Sequence, residues 1–332
     1  MSRTPYIIMM SCCMTAMLMQ SCYSEIDLGD IMGEPSPVIN AVASPDTVVL
    51  ASVSRTYSYD EQVGDLFIKD ADVSLYVNGK FYEKMQGKEI ETEINIGGGG
   101  ASEALSKKWV YVSDYTPSPG DEIKIEAATR IGTADVAATV PQPADIDGVT
   151  TDITRYDDNY FINAPGYDVT YHVKINDKPG ESNYYMLGVQ GEESSGWRFF
   201  RIYLTDPVFE MQNQDITDIG GDTPYTMWVT VFDDTLFDGT SYDLTFEEKA
   251  YDGYNTNFDP DENKVARRKV ILYTITEDYY KYMRSILKDM KREDSDLGDL
   301  GLYEPVFIYN AVNGGAGAMC AQSSVSTILE IN

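Results

Sequence analysis

From residue 37 onward, short runs of apolar and polar residues alternate along this chain. Val73, Leu75 and Val77 alternate with Asp72, Ser74 and Tyr76. That is the period-two pattern of a half-buried strand. The run ends at Asn78-Gly79, a dipeptide that favours positive φ and a tight hairpin returning through Phe81. Residues 38–42, 47–58, 109–112, 123–126 and 136–140 read as further strands, with turns at Ser44-Pro45-Asp46 and Pro117-Ser118-Pro119-Gly120. Beyond Pro141-Gln142-Pro143 the style repeats with larger, Tyr-rich runs. Val169, Tyr171, Val173 and Ile175 form one face, with Thr170, His172 and Lys174 on the other. Residues 184–189, 199–204, 225–232, 242–246, 270–275, 306–309 and 325–329 follow as strands.

One segment has a different period. Tyr279, Tyr282, Met283, Ile286, Leu287 and Met290 recur at helical spacing, behind Thr276 as N-cap and Glu277 and Asp278 in the first turn. This predicts an amphipathic helix over residues 276–292 that packs across a sheet. The expected fold is mainly β. About seven short strands before the Pro-rich segment match the spacing of an immunoglobulin-like β-sandwich over residues 37–143. Residues 144–332 are expected to form a larger antiparallel β domain carrying the helix. Each Pro of residues 141–143 removes a backbone donor, so no central strand runs through them.

The N-terminus has a different character. Arg3 precedes an almost uninterrupted apolar run over residues 7–19, too short to span a bilayer and placed where a signal peptide's core belongs. Met19-Gln20-Ser21-Cys22 resembles a bacterial lipobox. Residues 1–21 are therefore read as a lipoprotein signal peptide and Cys22 as the lipidated residue; the alternatives are an uncleaved anchor or an ordinary signal peptide. Residues 22–36 form an acidic, Gly- and Pro-containing tether. Its Tyr23-Ser24-Glu25-Ile26-Asp27 opening reads either as a partial surface-export signal or as a solvated linker. Cys12 and Cys13 leave with the signal peptide, so Cys320 is left without an internal disulfide partner. It reads as a buried, inert residue rather than a reactive thiol.

Charge narrows the function classes. With 54 acidic and 25 basic residues the formal charge is −29, the wrong sign for a nucleic-acid binder. His172 is the one histidine, which excludes two-His metal motifs and leaves a catalytic triad no other base. Gly97-Gly98-Gly99-Gly100 lacks the Gly-Lys-Ser/Thr ending of a phosphate loop. Asn257, Asp259, Asp261 and Asn263 have the alternate spacing that opens a calcium loop. Glu262, however, stands where the turn glycine belongs, and Arg268 where the bidentate Glu belongs. An ordinary acidic loop is the favoured reading. No enzyme chemistry and no cofactor are expected. Tyr, at 25, outnumbers Phe, at 11. That suits either amphipathic binding surfaces or strands that simply favour Tyr.

Several segments together carry a resemblance. Pro37-Val38-Ile39-Asn40-Ala41-Val42 with Ser44-Pro45-Asp46, Asp72-Val73-Ser74-Leu75-Tyr76 with Asn78-Gly79, and Asp177-Lys178-Pro179-Gly180-Glu181-Ser182-Asn183-Tyr184-Tyr185 stand in order. Phe232-Asp233-Asp234-Thr235-Leu236-Phe237-Asp238-Gly239, Thr276-Glu277-Asp278-Tyr279-Tyr280-Lys281-Tyr282 and Glu304-Pro305-Val306-Phe307-Ile308-Tyr309-Asn310 before Asn313-Gly314 follow. Their order and spacing resemble the Bacteroidota lipoprotein family called domain of unknown function 4249. The resemblance implies an outer-membrane lipoprotein facing the cell surface. It further implies a non-enzymatic accessory or substrate-binding subunit of a TonB-dependent transporter; the alternative is a structural or adhesive surface protein. It supplies no catalytic residues. Gly315, Ala316 and Ala318 depart from the bulkier residues common in the family after the closing Asn-Gly, which argues against a lid-like contact there.

Overall fold

The structure, a computed structural model, describes residues 34–57, 64–94, 104–159, 164–193, 196–199, 201–212, 225–227, 229–249, 266–293 and 306–331. The first half holds β1 (Pro37–Ser44), β2 (Thr47–Arg55), β3 (Asp72–Val77), β4 (Lys80–Lys84), β5 (Gln86–Ile94), β6 (Ala104–Val112), β7 (Glu122–Thr129) and β8 (Gly132–Thr139). After residues 140–144 come β9 (Asp145–Asn159), β10 (Ala164–Asn176), β11 (Tyr184–Glu193), β12 (Gly196–Phe199) and β13 (Ile202–Leu204). Helix α1 (Pro207–Gln212), β14 (Tyr225–Met227), β15 (Val229–Asp233), β16 (Ser241–Glu248), β17 (Ala266–Ile275), helix α2 (Glu277–Glu293) and β18 (Ala316–Ile331) complete the order. The chain is mainly β with antiparallel sheets, and α2 spans the segment whose helical period predicts it.

One sheet runs through both halves, in the order β12-β11-β17-β18-β1-β2-β6-β5, with β15 also paired to β11. Its β1-side strands face a four-stranded sheet, β4-β3-β7-β8, across a core of Ile39, Val53, Leu75, Ile123, Ile125 and Val136. Its β11 and β17 side faces a five-stranded sheet, β14-β13-β16-β10-β9, across Val169, Tyr171, Leu187, Phe232, Phe246 and Leu272. Alternation along β1, β7 and β10 puts every second side chain inward, which is how these two sandwiches form.

The long strand β18 joins the two cores. Its first six residues pair parallel with β1, from Val38 opposite Ala316 to Ala43 opposite Ala321. The rest pairs antiparallel with β17, from Ile275 opposite Gln322 to Ala266 opposite Ile331. Met319 and Ala321 therefore belong to the first core and Ile331 to the second. Only residues 325–329 of this strand carry a strand pattern in the sequence. Residues 316–324, Ala-Gly-Ala-Met-Cys-Ala-Gln-Ser-Ser, hold small and polar side chains. They form a strand because two ladders require their backbone.

The segment 306–309, expected as a strand, makes no ladder. It runs along α2 instead, where the Tyr309 amide donates to Ser285 Oγ at 2.9 Å and the Tyr309 hydroxyl to Asp278 at 2.6 Å. The helix itself covers the other face of β11, β15 and β17. Tyr280 and Leu287 are its buried positions, packed with Met186, Val231 and Ile275, while Tyr279 and Met283 are half-buried. The inward stripe thus centres on Tyr280, which the expected apolar face leaves out. Coverage on both faces also explains why residues 184–189 and 270–275 read as nearly continuous apolar runs.

The Asn78-Gly79 hairpin forms with φ of +51° and +74°. Asp121 locks it to the neighbouring loop. Its carboxylate accepts from the Tyr115 hydroxyl at 2.7 Å, the Ser118 amide at 2.8 Å and Asn78 Nδ2 at 2.9 Å. The Tyr115 bond first, then Ser118 and Asn78, hold this carboxyl below the usual range. Its contribution is therefore present above the unfolded pKa of about 3.9 and lost as pH falls through the lower folded value. Asp121→Ala is expected to cost about 1–2 kcal/mol at pH 7 and less near about pH 2, where the carboxylate is protonating. Urea unfolding at both pH values checks this, and an equal loss at both would refute it.

Candidate functional site

Cys22 and the calcium candidates Asn257, Asp259, Asp261 and Asn263 lie outside the described residues, as does the run Gly97-Gly98-Gly99-Gly100. Among the described residues, no group of three or more His, Cys, Asp or Glu is placed to hold a metal ion. No helix among them is long and apolar enough to cross a membrane.

Cys320 sits on β18 beneath α2, and burial pushes its thiol up to about 12, against a smaller downward pull from Tyr279. At pH 8 its alkylation is expected to be at least about a hundredfold slower in the native protein than in urea, because the thiolate is the reactive form. Mass spectrometry of the Cys320 peptide measures this; comparable rates would show an accessible thiol.

Several of the described tyrosines of the second half turn inward. Tyr167, Tyr171, Tyr185, Tyr203 and Tyr280 are all buried. Several pair their hydroxyls with carboxylates: Tyr171 with Glu248 at 2.7 Å, Tyr185 with Asp177 at 3.2 Å, Tyr242 with Asp206 at 2.5 Å and Tyr280 with Asp233 at 2.9 Å. Burial and then the adjacent carboxylate raise the pKa of each of these hydroxyls. Asp206 is itself buried and fully engaged, accepting also from the Val208 and Thr245 amides. In these residues an amphipathic ring buries its body and satisfies its tip inside a wide sandwich.

Two of the segments that carry the family resemblance form one clasp. Asp177 accepts from Asn183 Nδ2, the Tyr185 hydroxyl and the Gly239 amide, at 3.1, 3.2 and 2.8 Å. Asp234 accepts from the Asn183 amide at 2.7 Å, and Asp238 from the Gly180 amide at 2.9 Å. Burial raises the Asp234 carboxyl, while the Asn183 bonds oppose that shift. Gly239 has φ of +70°, and a Cβ there would lie 2.7 Å from Pro179. The clasp ties residues 177–185 to residues 233–239, and its polar groups are used in that task.

A cleft of about 500 Å³ opens in the first sandwich between Arg55, residues 65–70 and residues 130–131. Of its three cations, Lys69 and Arg130 pair with Asp65 at 2.7 Å and Asp70 at 3.2 Å, and Arg55 donates to the Thr56 carbonyl at 3.3 Å.

The strongest candidate surface is the outer face of the five-stranded sheet. Here β9, β10 and β16 present Asp145, Asp147, Asp152, Asp168, His172, Lys174, Asp243 and Glu247, since the opposite residues fill the core. His172 bridges three strands, with Nδ1 3.0 Å from Asp243 and Nε2 3.3 Å from Asp152. Lys174 pairs with Asp147 at 3.3 Å, and Asn176 donates to the same carboxylate at 2.8 Å. The face is acidic and solvated, and the described partners of its one histidine are carboxylates rather than a nucleophile. Sequence periodicity places His172 correctly on the polar side of its strand. It misses β9 altogether: a Gly148 bulge at φ +143° breaks the alternation of Ile146, Val149 and Ile153.

The family model described as Domain of unknown function (DUF4249) matches residues 24–328. No curated protein matches the chain.

Proposed function

The chain belongs to the DUF4249 family, and from that premise we propose that it is a non-enzymatic lipoprotein, anchored through Cys22 at the bacterial outer-membrane surface. There it docks as an accessory or substrate-binding subunit on a TonB-dependent transporter. The observation that carries this reading is the acidic outer face of β9, β10 and β16. Antiparallel sheets leave one face to solvent, and this one holds carboxylates at Asp145, Asp147, Asp152 and Asp243. On a chain of formal charge −29, such a face selects a locally basic partner and repels acidic ones. The tether over residues 22–36 reaches at most about 50 Å when extended, enough to set the body over the rim of a barrel.

Co-purification of tagged, full-length protein from detergent-extracted outer membrane is the test. The neighbouring transporter is expected to come with it. Cys22→Ala is expected to abolish membrane retention or leave an unprocessed precursor. Asp147→Lys with Asp152→Lys and Asp243→Lys is expected to slow assembly at low salt about tenfold or more. Recovery of the lipoprotein alone, with the transporter purifying without it, would favour the structural or adhesive role.

A further inference from the structure

Strand β9 is fifteen residues long and pairs with β10 on one side only. Among the described residues no strand, helix or loop supplies a ladder to its other side. Its side chains record the open edge. The core-facing residues of the neighbouring β10, Val169, Tyr171, Val173 and Ile175, are fully or almost fully buried, whereas their β9 partners Ile153, Thr151, Val149 and Ile146 are only half-buried. The outward row is acidic and exposed: Asp145, Asp147 and Asp152, the last with 85% of its side chain accessible.

An edge of this length that no described residue pairs is a template for another strand, and natural proteins guard such edges against unwanted pairing. The guard here is charge. A second copy pairing antiparallel about Asp152 would set that carboxylate against its own symmetry mate, and like charges directly opposite are destabilising. The same carboxylates favour a cationic strand.

We propose that the β9 edge accepts an extended segment of a partner protein in which apolar residues alternate with Lys or Arg, adding a sixth strand to the five-stranded sheet. Strand addition draws its affinity from the backbone ladder and its specificity from alternate side chains. One row of the incoming strand would extend the core beyond Ile146, Val149 and Ile153. The other row would place its cations beside Asp145, Asp147 and Asp152. The Gly148 bulge sets the register, because it shifts the ladder between Lys174 and Ile175. This inference rests on the docking reading above for its biological setting, but its physical content is independent of any transporter.

The test uses the purified full chain and three end-capped ten-residue peptides. One alternates Val and Lys, one alternates Val and Glu, and one keeps the five Lys while Pro replaces every Val. Hydrogen exchange is read by mass spectrometry. The Val-Lys peptide is expected to slow exchange within residues 145–155 and to leave β5, the last described strand at the far end of the nine-stranded sheet, unchanged. The Val-Glu peptide is expected to have no effect. The Pro peptide, equal in charge but short of backbone donors, is expected to bind at least about tenfold more weakly. Asp147→Lys with Asp152→Lys is expected to lower the Val-Lys affinity about tenfold, and peptides with Glu in place of Lys should then bind the variant. Equal binding of the Pro peptide, or slowed exchange only outside residues 145–155, would overturn the proposal. A failed transporter co-purification would leave these results untouched, and the converse also holds.

Discussion

Gly317→Val is expected to destabilise the protein by at least about 3 kcal/mol, loosening the parallel pairing of β1 with β18. Gly317 has φ of +116°, a region that side chains rarely adopt, and a Cβ there would lie 2.1 Å from the Ile39 carbonyl oxygen. Its neighbours are equally confined. A Cβ on Gly315 would meet the Pro37 carbonyl at 2.3 Å, and one on Gly314 the Thr133 carbonyl at 2.5 Å. In each case the obstacle is backbone held in a ladder, which cannot rotate away. β1 lies between β2 and β18, so its displacement would disturb the core that contains Ile39, Ala41 and Ala43. Gly64→Ala is the control, because nothing lies within 4 Å of the added Cβ. It is expected to stay within about 0.5 kcal/mol of the parent. Urea unfolding measures both, and a Gly317→Val variant as stable as the control would show that the joint tolerates a side chain.

The second large effect is expected at the buried ion pair that links the two sheets of the second sandwich. Glu248 ends β16 in the five-stranded sheet, and Arg268 lies on β17 in the nine-stranded sheet. Arg268 grips the carboxylate with two donors, Nη2 to Oε1 at 2.7 Å and Nε to Oε2 at 3.1 Å. The Tyr171 hydroxyl adds a third bond at 2.7 Å, from a ring stacked on Phe246 with centroids 4.9 Å apart. Only 4% of the Glu248 side chain and 11% of the Arg268 side chain is accessible. Removing one partner strands the other charge in a poorly solvated site. Glu248→Ala and Arg268→Ala are each expected to cost about 3–5 kcal/mol. Removing all three polar ends together, as Glu248→Met, Arg268→Met and Tyr171→Phe, is expected to cost far less than the single changes summed, because no orphaned charge remains. Additive losses in urea unfolding would show that the three groups do not act as a unit.

These two expectations sit at places where the sequence is nearly silent. Nothing in Asn313-Gly314-Gly315-Ala316-Gly317 announces that a long strand begins there. The glycines read as a turn, and their role as close-approach points appears only once β1 and β8 lie against them. Glu248 and Arg268 are twenty residues apart in an acidic chain, where any one carboxylate is unremarked. The position of Arg268 at the end of a supposed calcium loop conceals its place on β17.

Local patterns did determine a good deal. Period-two alternation in β3 and β10 set which side chains face inward, because a strand must send successive residues to opposite faces. Asn78-Gly79 set a hairpin, because both positions need positive φ. The recurrence from Tyr279 to Leu287 set a helix, though its buried stripe is centred by Tyr280, whose hydroxyl finds Asp233 only in the folded protein. The Tyr-rich composition left two readings open. The structure favours the inner one, since carboxylates from distant strands reach those hydroxyls. What tertiary structure alone decided is long-range pairing: that β18 closes both cores, and that among the described residues only β10 pairs with β9. A strand's own residues encode which of its faces is apolar. Its backbone donors and acceptors are the same at every position, so the sequence of one strand does not state which other strand will meet them, or that none will.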